Sequence, residues 1–216
     1  MTKRLSVIFS EIPPCDTFSD IACDHGYIAF SMLKSGKCKK AFVSDVSEKS
    51  LKKAEELLAE FIKSGKAQSF VSDGFDNVPV SDVALIAGIG GRLIIDILER
   101  AERDGKLPET LILQPMKHCD KVRRAAVDTG YKIVRDFTVT EGGQFYDIIV
   151  LRRGKDKLTA EEIEFGRTNI LERPAAFRAK MQAEINKLLS YVERENISPA
   201  TRDKMLKKAE KLKKYV

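Results

Sequence analysis

The stretch Thr17-Phe18-Ser19-Asp20-Ile21-Ala22-Cys23-Asp24-His25-Gly26-Tyr27 decides the fold. It passes from a β-like run, Thr17–Cys23, through a turn carrying acids and a glycine, into a helical pattern over 25–35. A strand that feeds a helix through such a turn is the opening unit of an open parallel α/β sheet. The charge of the turn says what it can hold. A dinucleotide site needs a GxGxxG spacing so that backbone can approach a pyrophosphate. Here Asp20 and Asp24 stand where phosphates would lie. Carboxylates repel a pyrophosphate and attract a cation.

Outward from this unit, short β-like runs alternate with helical periodicity. Ala41–Ser44, Gln68–Val71, Val83–Ala87 and Thr110–Gln114 read as strands. Residues 48–64, Arg92–Arg103 and 118–129 read as helices. Ser47 is the expected N-cap of the first, and Gly65 and Gly130 follow the ends of the first and third. In the second, Leu93, Ile94, Ile97 and Leu98 are expected to face inward. The rhythm then changes. Tyr131–Val139 and Phe145–Leu151 have no helix between them, and Glu141-Gly142-Gly143-Gln144 reads as a hairpin loop. The expectation is a Rossmann-like α/β sheet of seven strands, the last antiparallel.

A different pattern follows. Phe177, Met181, Ile185, Leu188 and Val192 form one helical stripe, and Met205, Ala209, Leu212 and Val216 a second. Asn196-Ile197-Ser198-Pro199 separates them, with Pro199 suited to a first helical turn. This predicts an α-helical hairpin; the pattern leaves open whether it stands out or folds back. Residues 152–170 read as a linker with an intervening helix. The division expected is 1–153 for the sheet domain and 154–216 for the helical one.

Charge follows the same boundary. Of the net +6, residues 1–151 carry 21 basic against 22 acidic side chains, and residues 152–216 carry 17 against 10. A basic appendage on a near-neutral domain suits a polyanion; a solvated Lys-rich helix is the plainer alternative. Apolar residues make up 43% of the 216, enough for a core, and charged residues 32%. No run of about 18 apolar residues occurs, and Met1–Leu5 opens no long apolar signal core. The expectation is no membrane partner and a cytoplasmic location, as a monomer or weak dimer. Cys15, Cys23, Cys38 and Cys119 show no CxxC spacing, and only His25 and His118 are available to join them. No metal site and no disulfide are expected.

In an open parallel sheet, ligands bind beyond the carboxyl ends of the strands. Four segments fall there: Asp20 to Tyr27, Asp45 with Val46, Asp73 with Gly74, and Gly88-Ile89-Gly90-Gly91. Gly26 permits close backbone approach. Asp20 and Asp24 are candidates for an ammonium, Asp45 for ribose hydroxyls, and Asp73 for an adenine amino group beside Gly74. His25 either meets the ligand or bonds within its loop. Turns are rich in Asp and Gly in any case, but four such turns in this order point to a nucleoside-containing cofactor. The acids select S-adenosyl-L-methionine (SAM), with its sulfonium and ammonium, over NAD. Cofactor-binding candidates are therefore Asp20, Asp24, His25, Gly26, Tyr27, Asp45, Val46, Asp73, Gly74, Gly88, Ile89 and Gly90.

These residues resemble the bacterial tRNA (adenine(22)-N(1))-methyltransferases, over nearly the whole chain. The resemblance rests on Lys3-Arg4-Leu5, Asp20-Ile21 with Asp24-His25 and Tyr27, Asp73-Gly74, and Ala87-Gly88-Ile89-Gly90-Gly91. It continues in Leu111-Ile112-Leu113-Gln114-Pro115 and in Glu141, Gly143 and Tyr146. It implies a class I methyltransferase sheet, a coiled-coil-like C-terminal segment, and methyl transfer from SAM to N1 of an adenine in the D-arm region of tRNA. Ala22 stands where class I enzymes usually have glycine, and Met116 follows Gln114-Pro115 where many relatives have Asn.

On that reading Asp24, Gly88, Gln114 and Tyr146 are the catalytic candidates. Asp24 would act electrostatically, the carbonyls of Gly88–Gly91 would accept from adenine N6, and Gln114 and Tyr146 would wall the base, Tyr146 by stacking. Tyr146 as ordinary strand packing is the alternative. Arg4, Gly91, Arg92, Gln114, Lys117, His118 and Arg123 are the substrate-binding candidates, the basic ones as phosphate contacts. Another RNA or a small molecule as substrate, or a non-catalytic SAM- or RNA-binding protein, are the competing functions. Pro14-Cys15 precedes the first strand, on the wrong side for a cysteine nucleophile.

Overall fold

The computed structural model describes residues 1–193 and 197–216. Seven strands make one sheet: β1 (Cys15–Ile21), β2 (Cys38–Asp45), β3 (Ala67–Val71), β4 (Val83–Ile89), β5 (Thr110–Pro115), β6 (Tyr131–Glu141) and β7 (Gln144–Arg153). Their order is β3-β2-β1-β4-β5-β7-β6. The pairings of β1 to β5 are parallel, and β7 runs antiparallel to both its neighbours. The central strands are buried on both faces, as in β5, where every residue is buried. That is why they read as continuous apolar runs. The chain leaves β1 toward β2 and β3, then returns to β4 on β1's other side. Loops after β1 and β4 therefore diverge and open a crevice.

Helices cover both faces. On one lie α1 (Lys3–Glu11), α2 (Tyr27–Lys34) and α3 (Glu48–Lys63), burying Ile8, Met32, Ala54 and Leu58 against Phe18, Val43 and Leu85. On the other lie α4 (Gly91–Arg103) and α5 (Cys119–Asp128), burying Ile94, Ile97, Leu98 and Val122 against Ile21, Ile86 and Leu113. Ser47 caps α3 by accepting from the Ser50 N–H at 3.2 Å. Leu93, expected inward, is 44% exposed; it lies one residue round the helix from Ile94 and turns to the crevice rim.

The first helix, α1, is absent from the expectations above. Its signal is the step of 3 then 4 from Leu5 to Ile8 to Ile12, short enough to pass for irregular chain. Thr2 caps its start, and the Pro13-Pro14 pair ends it because a residue before proline is pushed out of the helical region. Burying Ile8 and Ile12 contributes about 1.5–3 kcal/mol each.

Beyond β7, α6 (Ala160–Phe165), α7 (Arg167–Glu172), α8 (Ala175–Val192) and α9 (Pro199–Lys213) build the helical part. The α8 stripe buries Phe177, Met181, Ile185 and Leu188 against Ala209, Leu212 and Tyr215. Tyr215 replaces the expected Val216, which is 49% exposed, because α9 ends at Lys213 and its period stops there. Pro199 is the first residue of α9, with Ser198 as N-cap. Asn196 of the expected break lies outside the described residues.

The helical part folds back at its base. Helix α7 covers the edge strand β6: the Asp136 N–H donates to Thr168 Oγ1 and the Thr138 N–H to Asn169 Oδ1, both at 3.0 Å. This satisfies donors that an open edge would leave free. Beneath lies a buried ionic cluster. Arg123 Nε donates to Asp136 Oδ2 at 2.9 Å and Nη2 to Asp147 Oδ2 at 3.4 Å, while Nη1 reaches the Ile163 carbonyl at 3.3 Å. Lys180, on α8, donates to both Asp147 oxygens at 2.8 and 2.9 Å. Burial raises the Asp147 carboxyl, but Lys180 and Arg123 outweigh it and hold it at about 2. Gly166, at φ +90°, is the residue that lets α6 meet α7 here: a Cβ on it would sit 2.6 Å from Asp136 Oδ2.

This corrects one expectation. Arg123 is fully buried and shared between two carboxylates, so it is no phosphate contact. Arg123→Ala leaves Asp136 in the interior without its basic partner and Asp147 with Lys180 alone, and should cost about 3–5 kcal/mol in urea unfolding. A loss below about 1 kcal/mol would show that the cluster does not hold the two parts together.

Candidate active site

The turn after β1 is built from left-handed backbone. Ala22, Asp24 and Gly26 have φ of +57°, +44° and +67°. Glycine adopts this region freely, whereas other residues are uncommon there. Ala22 thus occupies a glycine conformation without being glycine. The turn is tied down by the Cys23 N–H donating to the Ser44 carbonyl at 3.0 Å and the Gly26 N–H to the Cys23 carbonyl at 3.1 Å. Gly26 serves close packing: a Cβ there would lie 3.0 Å from Ala54 Cβ on α3.

At the crevice the structure holds a cavity of about 510 Å³, within the usual range for small-molecule sites. The first turn lines it with Asp20, Ala22, Cys23, Asp24, His25, Tyr27 and Ile28. Asp45 and Val46 line it from β2, Leu85, Ala87, Gly88 and Ile89 from β4, Arg4 and Leu5 from α1, and Leu93 from α4. Nine of the sequence candidates therefore share one cavity: Arg4, Asp20, Asp24, His25, Tyr27, Asp45, Val46, Gly88 and Ile89.

Three carboxylates face it in different states. Asp20 is 6% exposed, and among the described residues no basic side chain pairs with it. Burial raises its carboxyl to about 7, opposed only by the Ala29 backbone N–H. Asp24 lies at the rim. Burial is the largest single influence and raises it, but Lys53 at 3.0 Å and His25 Nδ1 at 2.6 Å together outweigh this and hold it below the usual range. Asp45 accepts from the Ser47 N–H on Oδ1 at 2.8 Å. The His25 and Tyr27 rings stack with centroids 5.3 Å apart and planes 5° from parallel, and His25 both bonds within its loop and lines the cavity.

On the β4 side, the β4–β5 register shifts between Ala87 and Ile89, leaving Gly88 as the extra residue of a bulge at φ +79°. The Ile89 carbonyl accepts from the Met116 N–H at 2.9 Å and the Gly90 carbonyl from the Ile94 N–H at 3.1 Å. Both are already engaged, which narrows the carbonyls open to a substrate amino group. Gly91 is a contact point between loops: a Cβ on it would lie 2.2 Å from the Lys117 carbonyl.

Other candidates lie elsewhere. Asp73 is clamped by Arg100 of α4, with nitrogens 2.8 Å from each carboxylate oxygen. Gly74 presses on Ile97, 2.9 Å from a Cβ built there. Both stand outside the cavity lining, joined to α4. Arg92, Lys117 and His118 are exposed around the α4 and α5 N-termini. Arg4 is no free phosphate contact: its Nη1 donates to Gln114 Oε1, and its guanidinium lies 4.8 Å from the Tyr146 ring centroid. Gln114 is fully buried, paired in register with Ala87, and its Nε2 donates to the Pro115 carbonyl at 3.2 Å. Ala22 and Cys23, within the segment the sequence placed at the ligand, also line it, and Leu5, Ile28, Leu85, Ala87 and Leu93 are lining residues missed by sequence reasoning. For Leu5 the α1 spacing was the available signal.

The cavity suits SAM in its donor set. A cation beside Asp20 supplies the counter-charge the protein withholds, and Asp45 offers its second oxygen to hydroxyls. Among the described residues no group of three or more His, Cys, Asp and Glu is placed to hold a metal ion.

Residues 1–149 match the methyltransferase domain family. A Mycoplasma pneumoniae protein assigned as a tRNA methyltransferase is 30% identical over 175 residues, 77% of this chain and 79% of its own. The tRNA (adenine(22)-N(1))-methyltransferase of Bacillus subtilis is 26% identical over 156 residues, 71% of this chain and 66% of its own. Among solved structures, Streptococcus pneumoniae Sp1610, assigned as a tRNA (m1A22) methyltransferase, superposes with a TM-score of 0.91 at 30% identity. The superposition covers 100% of this chain and 99% of that one. A second structure of Sp1610 contains S-adenosyl-L-methionine and superposes at 0.89 with 29% identity. The likeness runs through sheet and helical tail alike, and the chain belongs to the tRNA (adenine(22)-N(1))-methyltransferase family of class I SAM-dependent methyltransferases.

Proposed function

We propose that this protein transfers the methyl group of SAM to N1 of adenine 22, in the D-arm region of tRNA. The observation that carries the reading is the buried, cation-free Asp20 at the floor of a carboxylate-lined cavity. The full-length likeness to Sp1610 supports the choice of substrate. When bound, SAM supplies an electrophilic methyl group on a positively charged sulfur.

Adenine N1 carries an in-plane lone pair, so the chain needs no base to prepare it. The methyl carbon–sulfur bond breaks as the carbon–N1 bond forms, and the positive charge passes to the adenine. The protein's work is placement and electrostatics. Asp20 meets the positive charge of the cofactor at the floor. Asp45 orients its ribose. Asp24, kept ionised by Lys53 and His25, holds negative charge at the rim as the base becomes cationic. Gly88 keeps the β4 wall low, with nothing within 4 Å of a Cβ built there. Gln114 and Tyr146 stand behind Arg4, which lines the cavity in front of them. A base inside folded RNA must be extruded to reach N1. The basic helical part, 154–216, is the expected RNA contact, and work on tRNA fits the cytoplasm. Among the described residues no helix is long and apolar enough to cross a membrane.

Asp20 makes cofactor binding depend on pH. Its carboxyl is neutral below about 7 in the free protein and must ionise to pair with a cation. SAM affinity should therefore rise as pH increases through 7 and level off above, with proton release on binding. Asp20→Asn should weaken binding and flatten the profile in calorimetry. An unchanged, pH-independent affinity in the wild type removes Asp20 from the site. Labelled SAM with unmodified tRNA should give a single product, N1-methyladenine at position 22. A methylated guanine, pyrimidine or different adenine defeats the substrate assignment. Asp24→Ala should abolish turnover or SAM binding; a near-normal rate would exclude it.

A further inference from the structure

One residue of α1, Arg4, lines the same cavity as Asp20. Arg4 makes four contacts with two distant parts of the chain. Its backbone N–H donates to Glu141 Oε1 at 2.7 Å, and its Nε lies 3.8 Å from Glu141 Oε2. Its Nη1 donates to Gln114 Oε1, and its guanidinium carbon stands 4.8 Å from the Tyr146 ring centroid. Glu141 ends β6, Tyr146 lies on β7 just past the hairpin loop, and Gln114 is near the end of β5. The α1 N-terminus favours an anion, and Glu141 supplies it, so the helix and the hairpin are pinned where Arg4 begins.

Arginine only donates, so the Gln114 amide must turn its oxygen to Arg4 and its nitrogen to the Pro115 carbonyl. That sets the orientation of a side chain with no exposure to solvent. One face of Tyr146 is covered by the same guanidinium. Arg4 itself lines the cavity, and its Nε is buried without a hydrogen-bond partner among the described residues. A buried donor left open costs free energy until something accepts from it. The arrangement is a braced wall with one donor in reserve.

We propose that Arg4 is a positioning residue for methyl transfer, locking Gln114 and Tyr146 into one rigid support behind the side of the cavity that Arg4 itself lines. This rests on the function proposed above. The side of the cavity that holds SAM, at Asp20 and Asp45, makes no contact with Arg4 among these bonds. Loss of Arg4 should thus act on turnover and spare cofactor binding. A planar guanidinium can hold an amide, a carboxylate and a ring face together, which the single point charge of lysine cannot.

The test uses the full chain, labelled SAM and unmodified tRNA with Arg4→Ala, Arg4→Lys, Gln114→Ala and the double variant Arg4→Ala/Gln114→Ala. Turnover of Arg4→Ala should fall roughly 10–100-fold, as expected for misplaced reacting groups, with SAM affinity by calorimetry not weakened. Arg4→Lys should recover only part of the rate. The double variant should lose little more than Arg4→Ala alone, since the two residues act as one unit. Turnover within twofold of wild type, SAM affinity lost in parallel with rate, or independent losses that multiply would each overturn the inference. Wild-type protein that leaves tRNA unmethylated would sink the functional reading instead, and this inference with it.

Discussion

A carboxylate with almost no access to water and, among the described residues, no basic partner sits at the end of β1, at the point where the strand order reverses. Placing Asp20 there costs solvation that the Ala29 backbone N–H only partly offsets, and its raised carboxyl records this. The rest of the site is arranged around that deficit. The sheet splays its loops apart at β1 and β4, the first turn is forced through left-handed backbone to clear the opening, and Asp45 arrives from the neighbouring strand. A neutral or anionic ligand would leave the deficit in place. A cationic one removes it.

Rigidity comes from a second set of buried charges, on the far side of the sheet order. Arg123, Asp136, Asp147 and Lys180 join α5, the hairpin strands and α8. Such clusters add little stability over an apolar core. Their effect is to fix geometry, because each charge must meet its partners. Here that geometry is the attachment of the helical tail to the edge of the catalytic sheet. The hairpin β6–β7 is common to both devices. Asp147 faces the tail cluster, while its neighbour Tyr146 faces Arg4, as alternation along a strand requires. The helical part and the Arg4 contacts are thus joined through adjacent residues of one strand.

Helix α1 completes the enclosure. Without it, Gln114 and Tyr146 would form an open sheet end. With it, a cation is inserted between them, and the cavity gains Arg4 and Leu5 as walls. Asp20 lines the cavity, whereas Glu141 lies outside its lining at the start of α1, and the two carboxylates differ accordingly. Asp20 waits for a ligand's charge, whereas Glu141 is already satisfied by the start of α1, which holds its carboxyl below the usual range.

The local pattern alone was enough for the seven strands, most helices, the antiparallel last strand and the tail hairpin, because periods of 2 and 3.6 are written in neighbouring residues. It also marked the acidic turn after β1, since a turn's residue types are set by its own backbone. Tertiary structure decided what each charged side chain meets. Asp73 and Asp45 look alike in sequence, yet Arg100 claims the first and the cavity holds the second. Arg4 and Arg123 both read as phosphate contacts, yet one braces an inner wall and the other is sealed in the core. Arg4 meets Gln114 and Glu141 across 110 and 137 positions of chain. Partners that distant are chosen by strand order and helix packing, through burial that forces each charge to find a counterpart, and no local spacing encodes that choice.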